Sequence, residues 1–534
     1  MQGRTATPSP SPRQDSTLTN RHLSPIDAPH ARAAALDHFA GIDLGHKRRN
    51  DRAKTLGEAL FASDRGTITG IFSQRKDRDA AYRLCHHPRM TPEAILKAHH
   101  DLLRQRMTHA ARAGHRLLVV EDTTTLPFNT REHCEGLGPI GEDFTRGLFQ
   151  HNTLVLAMDG NAAPPPGSPA GDPQPQAVTG TRVLGLLWQE YWARDAAPES
   201  RTSDGRRRNR SARRGDSDAE TDRWARGLNQ NQDVIDDTLR AAGPDAHRAV
   251  YVADRESDIF GVLRRARTSG CDVVVRAKQN RKLVGEEAKL LDHVSDQPVR
   301  EQRQLEVRGG HGKKARVAEL EVRWASVSLR SPQAKGRVAG AAAPLELNLL
   351  ELRETDASAE AAKVKDKDRV CWRLLTSLPV TDTAAIDRVV GIYRRRWLVE
   401  ELHKALKTGL KLCESQLRDA DAIRPLATMK SVVAAELLDL RQQAREAPDA
   451  EVSEDEMDDA ECAVLEAEYG PPPGGVWRVG ERLRRTAMLG GFMGRKGDGV
   501  PGWLTIWRGR QKLDMLTAGY RLARGEAGPP ERST

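Results

Sequence analysis

The chain has 534 residues, too many for one hydrophobic core, so about two to four domains are expected. Its 84 lysines and arginines against 75 acidic residues leave a net charge of +9, which favours a polyanionic partner without demanding one. No apolar run is long enough to span a membrane, no apolar h-region follows the N-terminus, and the six cysteines form no CxxC pair; these features argue against a transmembrane protein, a secreted disulfide scaffold and a zinc module.

Residues 1–35 are rich in Pro, Ser and Arg and read as a disordered leader. From 36 to 113 the pattern is helical and basic, with Thr91-Pro92-Glu93 as a helix start. Such a unit can bind DNA, or it can be a bundle with a solvated basic face. The pairs His86–His87 and His99–His100 read as surface residues, because neighbours on a helix point different ways.

At residue 114 the period changes. Leu117 to Val120 form a buried-strand run ending at Glu121-Asp122, and NTLVLAM (152–158) and TRVLGLLWQEYW (181–192) supply the next two strands. The Pro/Gly-rich segment 159–180 reads as an exposed insertion, and the Arg-rich run 201–214 as a mobile, solvated excursion able to touch a DNA backbone. A helix from about Glu220 to Ala242, the strand AVYVAD ending at Asp254, the helix SDIFGVLRRARTSG and the strand CDVVVRAK, which carries Arg276, complete a mixed α/β core to residue 294. Residues 295–380 alternate in the strand manner and form a β-rich insertion. The core resumes over 381–444, an acidic connector follows over 445–475, and 476–534 is helical with apolar and Trp content suited to a partner surface.

One segment of the resumed core, IYRRRWLVEELHKALKTG, carries Tyr393, Arg396, Glu400 and Lys407 at i, i+3, i+7 and i+14. On a regular α-helix these four share a stripe about 60° wide, beside an apolar stripe of Ile392, Val399, Leu402, Leu406 and Leu410. Two strand-end aspartates, Asp122 and Asp254, plus this helical glutamate suit hard cations such as Mg²⁺. A pair of metals relieves the repulsion among three carboxylates and supplies the clamp for in-line attack on a phosphodiester, while Arg396 and Lys407 hold phosphates. Each carboxylate also has an ordinary structural reading: Asp122 in a turn, Asp254 as a helix cap, and Glu400 paired with Arg396 or Lys404 four residues away. Only their joint arrangement favours the metal site.

EDTTTLPF (121–128), YVADRESDIF (251–260) and the 392–409 segment resemble the three catalytic blocks of the insertion-sequence-4 family of cut-and-paste transposases, closest to its Tn-five branch. LGHKRRNDR, AAYRLCHHPRMTPEAI, LGLLWQEYWAR, VCWRLLTSLPV and LGGFMGRKGDGVPGW resemble further segments of that branch, so the resemblance runs in order from about residue 36 to 520. It implies an α/β, RNase H-like mixed sheet core with an inserted β-rich domain and helical N- and C-terminal domains. It also implies a DDE triad of Asp122, Asp254 and Glu400 holding Mg²⁺ or Mn²⁺, two ions per site, and a Y-R-E-K signature at Tyr393, Arg396, Glu400 and Lys407. Lys404 and Arg276 join the DNA-contacting set, and Trp372 matches a tryptophan that stacks on a flipped base. The implied partners are double-stranded DNA, as inverted-repeat ends and as target, and a second copy of the chain in a dimer, at the nucleoid in a bacterial cytoplasm. The implied reaction nicks one strand, forms a hairpin through the freed 3′-hydroxyl, reopens it and joins the ends to target DNA. A nuclease that cuts without joining, or an end-binding repressor, is the alternative. The leader, 159–180 and 201–214 depart from the family pattern, and 445–475 follows it only loosely.

Overall fold

The computed structural model describes residues 29–63, 66–128, 133–141, 145–159, 180–194, 203–307, 315–332, 343–452, 457–495 and 498–525. Most of the expected leader and of the Pro-rich insertion lies outside the described residues.

The described residues begin with helices α1 (Pro29–Phe39), α2 (Lys47–Ala62), α3 (Arg75–Cys85) and α4 (Pro92–Arg112), with a single helical turn at Ile68–Ile71 between α2 and α3. The leader was expected to run to residue 35, but α1 already begins at Pro29. Its alanine-rich sequence favours helix, and Ala35 and Phe39 anchor it in the core. Helix α4 starts where its sequence signals, with the Thr91 hydroxyl accepting from Ala94 N at 3.2 Å. His99 departs from the surface reading. It is fully buried, its Nδ1 lies 2.8 Å from Nδ1 of His38, and its Nε2 accepts from Leu186 N at 3.1 Å.

The core strands are β1 (His115–Pro127), β2 (Arg146–Asp159), β3 (Thr181–Trp192), β4 (Val250–Ala253) and β5 (Asp272–Arg276). They lie in the order β3-β2-β1-β4-β5. Strand β2 is antiparallel to both its neighbours, whereas β1, β4 and β5 are mutually parallel. That is the RNase H-like arrangement implied by the sequence. Side-chain alternation splits the core into two layers. Leu118, Val120, Val250 and Val252 face one way, and Leu117, Val119, Tyr251 and Val273 the other. With both faces covered, these strands read as continuous apolar runs.

The second layer is covered by α5 (Ser203–Ala242) and α6 (Phe260–Thr268), through Trp224, Leu228, Val262 and Leu263. The Arg-rich run, expected as a mobile, solvated excursion, has a helical backbone from Ser203, continuous with the half that packs on the sheet. Arginine is a good helix former, and no proline interrupts the run.

Strands β6 (Glu301–Val307), β7 (Arg316–Leu329), β8 (Leu345–Glu354) and β9 (Cys371–Thr376) form an antiparallel meander. Strand β9 pairs antiparallel with β5, Leu375 opposite Val275, so the β-rich stretch extends the core sheet itself.

Helices α7 (Thr383–Arg395) and α8 (Trp397–Lys404) lie across the first layer. The expected regular helix is irregular at two points. At the junction Arg396 N and Val399 N bond three residues back, at 3.0 and 3.1 Å. Residues Ala405–Gly409 then widen into a π-turn, and Leu410 N bonds Ala405 O at 2.8 Å. Just beyond the turn, the buried Nζ of Lys430 donates to Leu410 O at 3.0 Å and also bonds Gly66 O.

Helix α9 (Ala420–Glu446) is buried along most of its length and leads into α10 (Asp459–Tyr469), α11 (Val479–Leu489) and α12 (Trp503–Ala523). The expected acidic connector is corrected by α10. Its Leu465 packs with Met457, Leu489 and Leu513 in a separate small core. Glu461, fully buried, takes two bonds from Arg482 at 2.8 and 2.9 Å, so part of the acidic charge is internal pairing. Trp503 of α12 docks on α8, donating Nε1 to Glu401 Oε2 at 3.1 Å. Among the described residues no helix is long and apolar enough to cross a membrane.

Candidate active site

Strands β1 and β4 run parallel with Val120 opposite Val252. Asp122 and Asp254 each follow two residues beyond this last pair, on neighbouring chain segments. Asp254 ends its strand as expected. Asp122 does not, because β1 continues through Thr123–Thr125, whose β-branched side chains keep pairing with β2. Asp254 also plays its ordinary structural part, capping the short turn Arg255–Ser257 by accepting from Glu256 N at 2.7 Å.

Helix α8 brings Glu400 over β1. Asp122, Glu400 and His403 each present a ligand atom within 4.8 Å of the other two. Asp254 is outside that trio, but its negative charge reaches Asp122. Between the two carboxylates stands Arg396, with Nη1 3.2 Å from Asp122 Oδ2 and 3.4 Å from Glu400 Oε1. Its neighbour Arg395 turns inward and donates to Thr181 Oγ1 at 2.7 Å.

The electrostatics of the pair are lopsided. Burial pushes the Asp122 carboxyl well above the usual range; Arg396 opposes this, and the charges of Glu400 and Asp254 add to it. Glu400 is held down to about 2, first by His403, whose Nδ1 lies 3.9 Å from Oε2, and also by Arg396. Without a dication the site therefore sets an Asp122 carboxyl raised by burial against a guanidinium standing between the carboxylates. A hard cation relieves both, and the oxygen donors suit Mg²⁺ or Mn²⁺, so the residues fit the expected metal.

The remaining expected residues are distributed unevenly. Lys407, on the π-turn, is half-buried, and burial lowers its ammonium while Glu400 and Asp122 pull the other way. Lys404 is exposed, and its charge acts on Glu401. Arg276, Trp372, Tyr393 and Arg396 line a pocket of about 310 Å³ closed by Val307 and Trp397. The Trp372 and Tyr393 rings meet edge to face at 6.0 Å, and Arg276 Nη2 donates to Cys371 O at 2.9 Å. Arg396 thus faces both the carboxylates and the pocket.

Sequence reasoning missed two residues. His403 was visible only as a histidine three positions after Glu400. Glu121 lies on the opposite face of β1, fully buried, and accepts from Tyr251 Oη at 2.9 Å and Thr153 Oγ1 at 3.1 Å. Gly227 permits the close approach of α5 there, since a Cβ would lie 2.3 Å from Glu121 Oε1.

Three family models match the chain: a transposase DNA-binding model over 31–90, a transposase DDE domain over 227–434 and a transposase Tn5 dimerisation domain over 433–528. The DDE match contains Asp254 and Glu400 and begins beyond Asp122. The chain also resembles the cryo-EM structure of the piggyBac transposase synaptic complex with hairpin DNA. The identity is 10% and the TM-score 0.29, with 78% of this chain and 55% of that chain covered.

Proposed function

Since the chain belongs to the Tn5-type DDE transposases, with their DNA-binding, DDE and dimerisation domains in order, we propose that it moves a DNA segment by cutting and pasting its ends. In this reading Asp122, Asp254 and Glu400 are the catalytic triad and hold two Mg²⁺ or Mn²⁺ ions. When bound, such ions activate the attacking oxygen and stabilise the departing one at the phosphodiester. Arg396 swings from the carboxylates to a phosphate, and Lys407, Lys404, Tyr393 and Arg276 fix the backbone around it. The pocket beside Arg396 takes a base turned out of the duplex, with Trp372 as its stacking wall.

The helical domain around 31–90 holds the inverted-repeat ends, and the C-terminal region pairs two chains across two ends. Water breaks the P–O bond at one strand and frees a 3′-hydroxyl. That hydroxyl attacks the opposite strand, closing a hairpin on the segment end. A second water reopens the hairpin, and the renewed 3′-hydroxyl attacks target DNA.

The observation that carries this reading is the meeting of Asp122 and Glu400 around Arg396, within reach of the charge of Asp254, with Arg396 also lining an aromatic pocket. The test incubates the purified protein with Mg²⁺ and DNA bearing the inverted repeats that flank its gene. Hairpin-ended products that vanish with Asp254→Ala support the proposal. Cleavage that survives this substitution refutes it.

A further inference from the structure

His403 is buried one helical turn beyond Glu400, and the hydrogen bonds around it fix which ring nitrogen carries the proton. Gln189 Nε2 donates to Asn152 Oδ1 at 2.6 Å, so the Asn152 oxygen acts as an acceptor. Asn152 Nδ2, 2.9 Å from His403 Nε2, is then the donor in that contact. His403 Nε2 must be the bare nitrogen, and the proton of the neutral ring sits on Nδ1. That Nδ1 is buried with no hydrogen-bond partner, 3.9 Å from Glu400 Oε2. A buried donor without an acceptor is costly, and a shift of about 1 Å makes the bond.

We propose that His403 is a positioning residue for Glu400: Nδ1–H takes Oε2, and Oε1, the oxygen now facing Arg396, is turned to the divalent cation. His403 is then not a metal ligand through Nδ1, although one of its ring nitrogens lies within 4.8 Å of both carboxylates, because Nδ1, the nitrogen beside Glu400, carries hydrogen. The relay behind it belongs to the sheet: Tyr191 Oη donates to Gln189 Oε1 at 3.3 Å, and Gln150 Nε2 donates to Tyr191 Oη at 3.0 Å. Asn152 sits opposite Asp122 in the β1–β2 pairing, so one strand register sets both the carboxylate and the partner that orients His403.

This inference rests on the proposal that Asp122 and Glu400 hold divalent cations. The test measures Mn²⁺ binding to the full chain without DNA, using free-Mn²⁺ electron paramagnetic resonance, together with the electron spin-echo modulation of the bound ion. An asparagine amide nitrogen reaches the Nδ1 position and a glutamine nitrogen the Nε2 position. His403→Asn is expected to keep Mn²⁺ affinity within about threefold, and His403→Gln to weaken it about 10- to 100-fold. Bound Mn²⁺ in the unaltered protein is expected to show no coupling to a directly coordinated ¹⁴N, a readout that needs no variant. Such a coupling, or equal affinities for the Asn and Gln variants, overturns the inference alone. An unaltered chain that binds no Mn²⁺ overturns the metal reading and this inference with it.

Discussion

Replacing Glu461 with leucine separates two views of the acidic segment. A solvated connector tolerates the change, whereas the packed α10 does not. Glu461 is fully buried, receives two hydrogen bonds from Arg482, and has Arg510 at 3.7 Å. Removing it leaves Arg482 without its hydrogen-bonded carboxylate and Arg510 with Asp514, at 3.2 Å, and the charge of Asp458; burial already pushes the Asp514 carboxyl up to about 6. Breaking one side of a buried ion pair costs about 3–5 kcal/mol. Because the two arginine side chains retain 18% and 19% of their exposure, the lower end applies, about 3 kcal/mol. In a unit of 60–100 residues that lowers the midpoint by about 12 °C or more. Differential scanning calorimetry of the full chain reads this as a shift of the C-terminal transition. Gel filtration reads any loss of dimer. The exposed Glu468→Gln on the same helix is the control, expected to change stability by less than about 0.5 kcal/mol. Indistinguishable transitions for Glu461→Leu and Glu468→Gln would refute the packing argument.

Lys430 carries a stability signature in pH. Burial lowers its ammonium from 10.5 to about 7, so the folded state resists protonation that the unfolded state accepts. The penalty is absent above the unfolded value and complete below about pH 7, so stability contributed at this site rises with pH across that window. Between pH 7 and 9.5 the gain is about 3 kcal/mol, measured by urea unfolding, and Lys430→Met should lack it; parallel pH profiles contradict the account. At the carboxylates, burial raises Asp122, so protons compete with a cation there more strongly than at an ordinary aspartate. Mn²⁺ affinity should therefore rise with pH, by up to about tenfold per unit where Asp122 ionises, read by calorimetric titration, and a flat profile speaks against it. Trp372→Ala removes a wall of the 310 Å³ pocket. Nicking should persist while hairpin yield on a gel falls about 5- to 100-fold, the loss of one base–aromatic stack, and an unchanged yield argues against that role.

The parts of this molecule that were legible from sequence are those governed by local period. Leu117 to Val120 and AVYVAD read as buried strands because both sheet faces are covered, and they put Asp254 at the end of its strand, whereas Asp122, also expected at a strand end, lies inside β1. The Glu400 helix was legible from its apolar stripe. Its irregularities were not legible, and the contacts beside them come from remote residues: Lys430 bonds Leu410 O, and Asp122 accepts from Arg396. The same limit hid the Arg-rich half of α5, whose charge suggested solvation while its propensity favoured helix. Glu461 was read as solvated because nothing local shows that Arg482 and Arg510 return to it. His403 escaped notice because its orienting partner, Asn152, lies 251 positions away in the chain.

The central claim is that Asp122, Asp254 and Glu400 share divalent cations. Diffraction at the manganese edge from crystals of the unaltered chain grown with Mn²⁺ tests it most directly. The account predicts anomalous density about 2 Å from oxygens of Asp122 and at least one of the other two, with the Arg396 guanidinium moved off Asp122. Manganese bound elsewhere, or a site still filled by Arg396 in protein that cuts DNA, would contradict it.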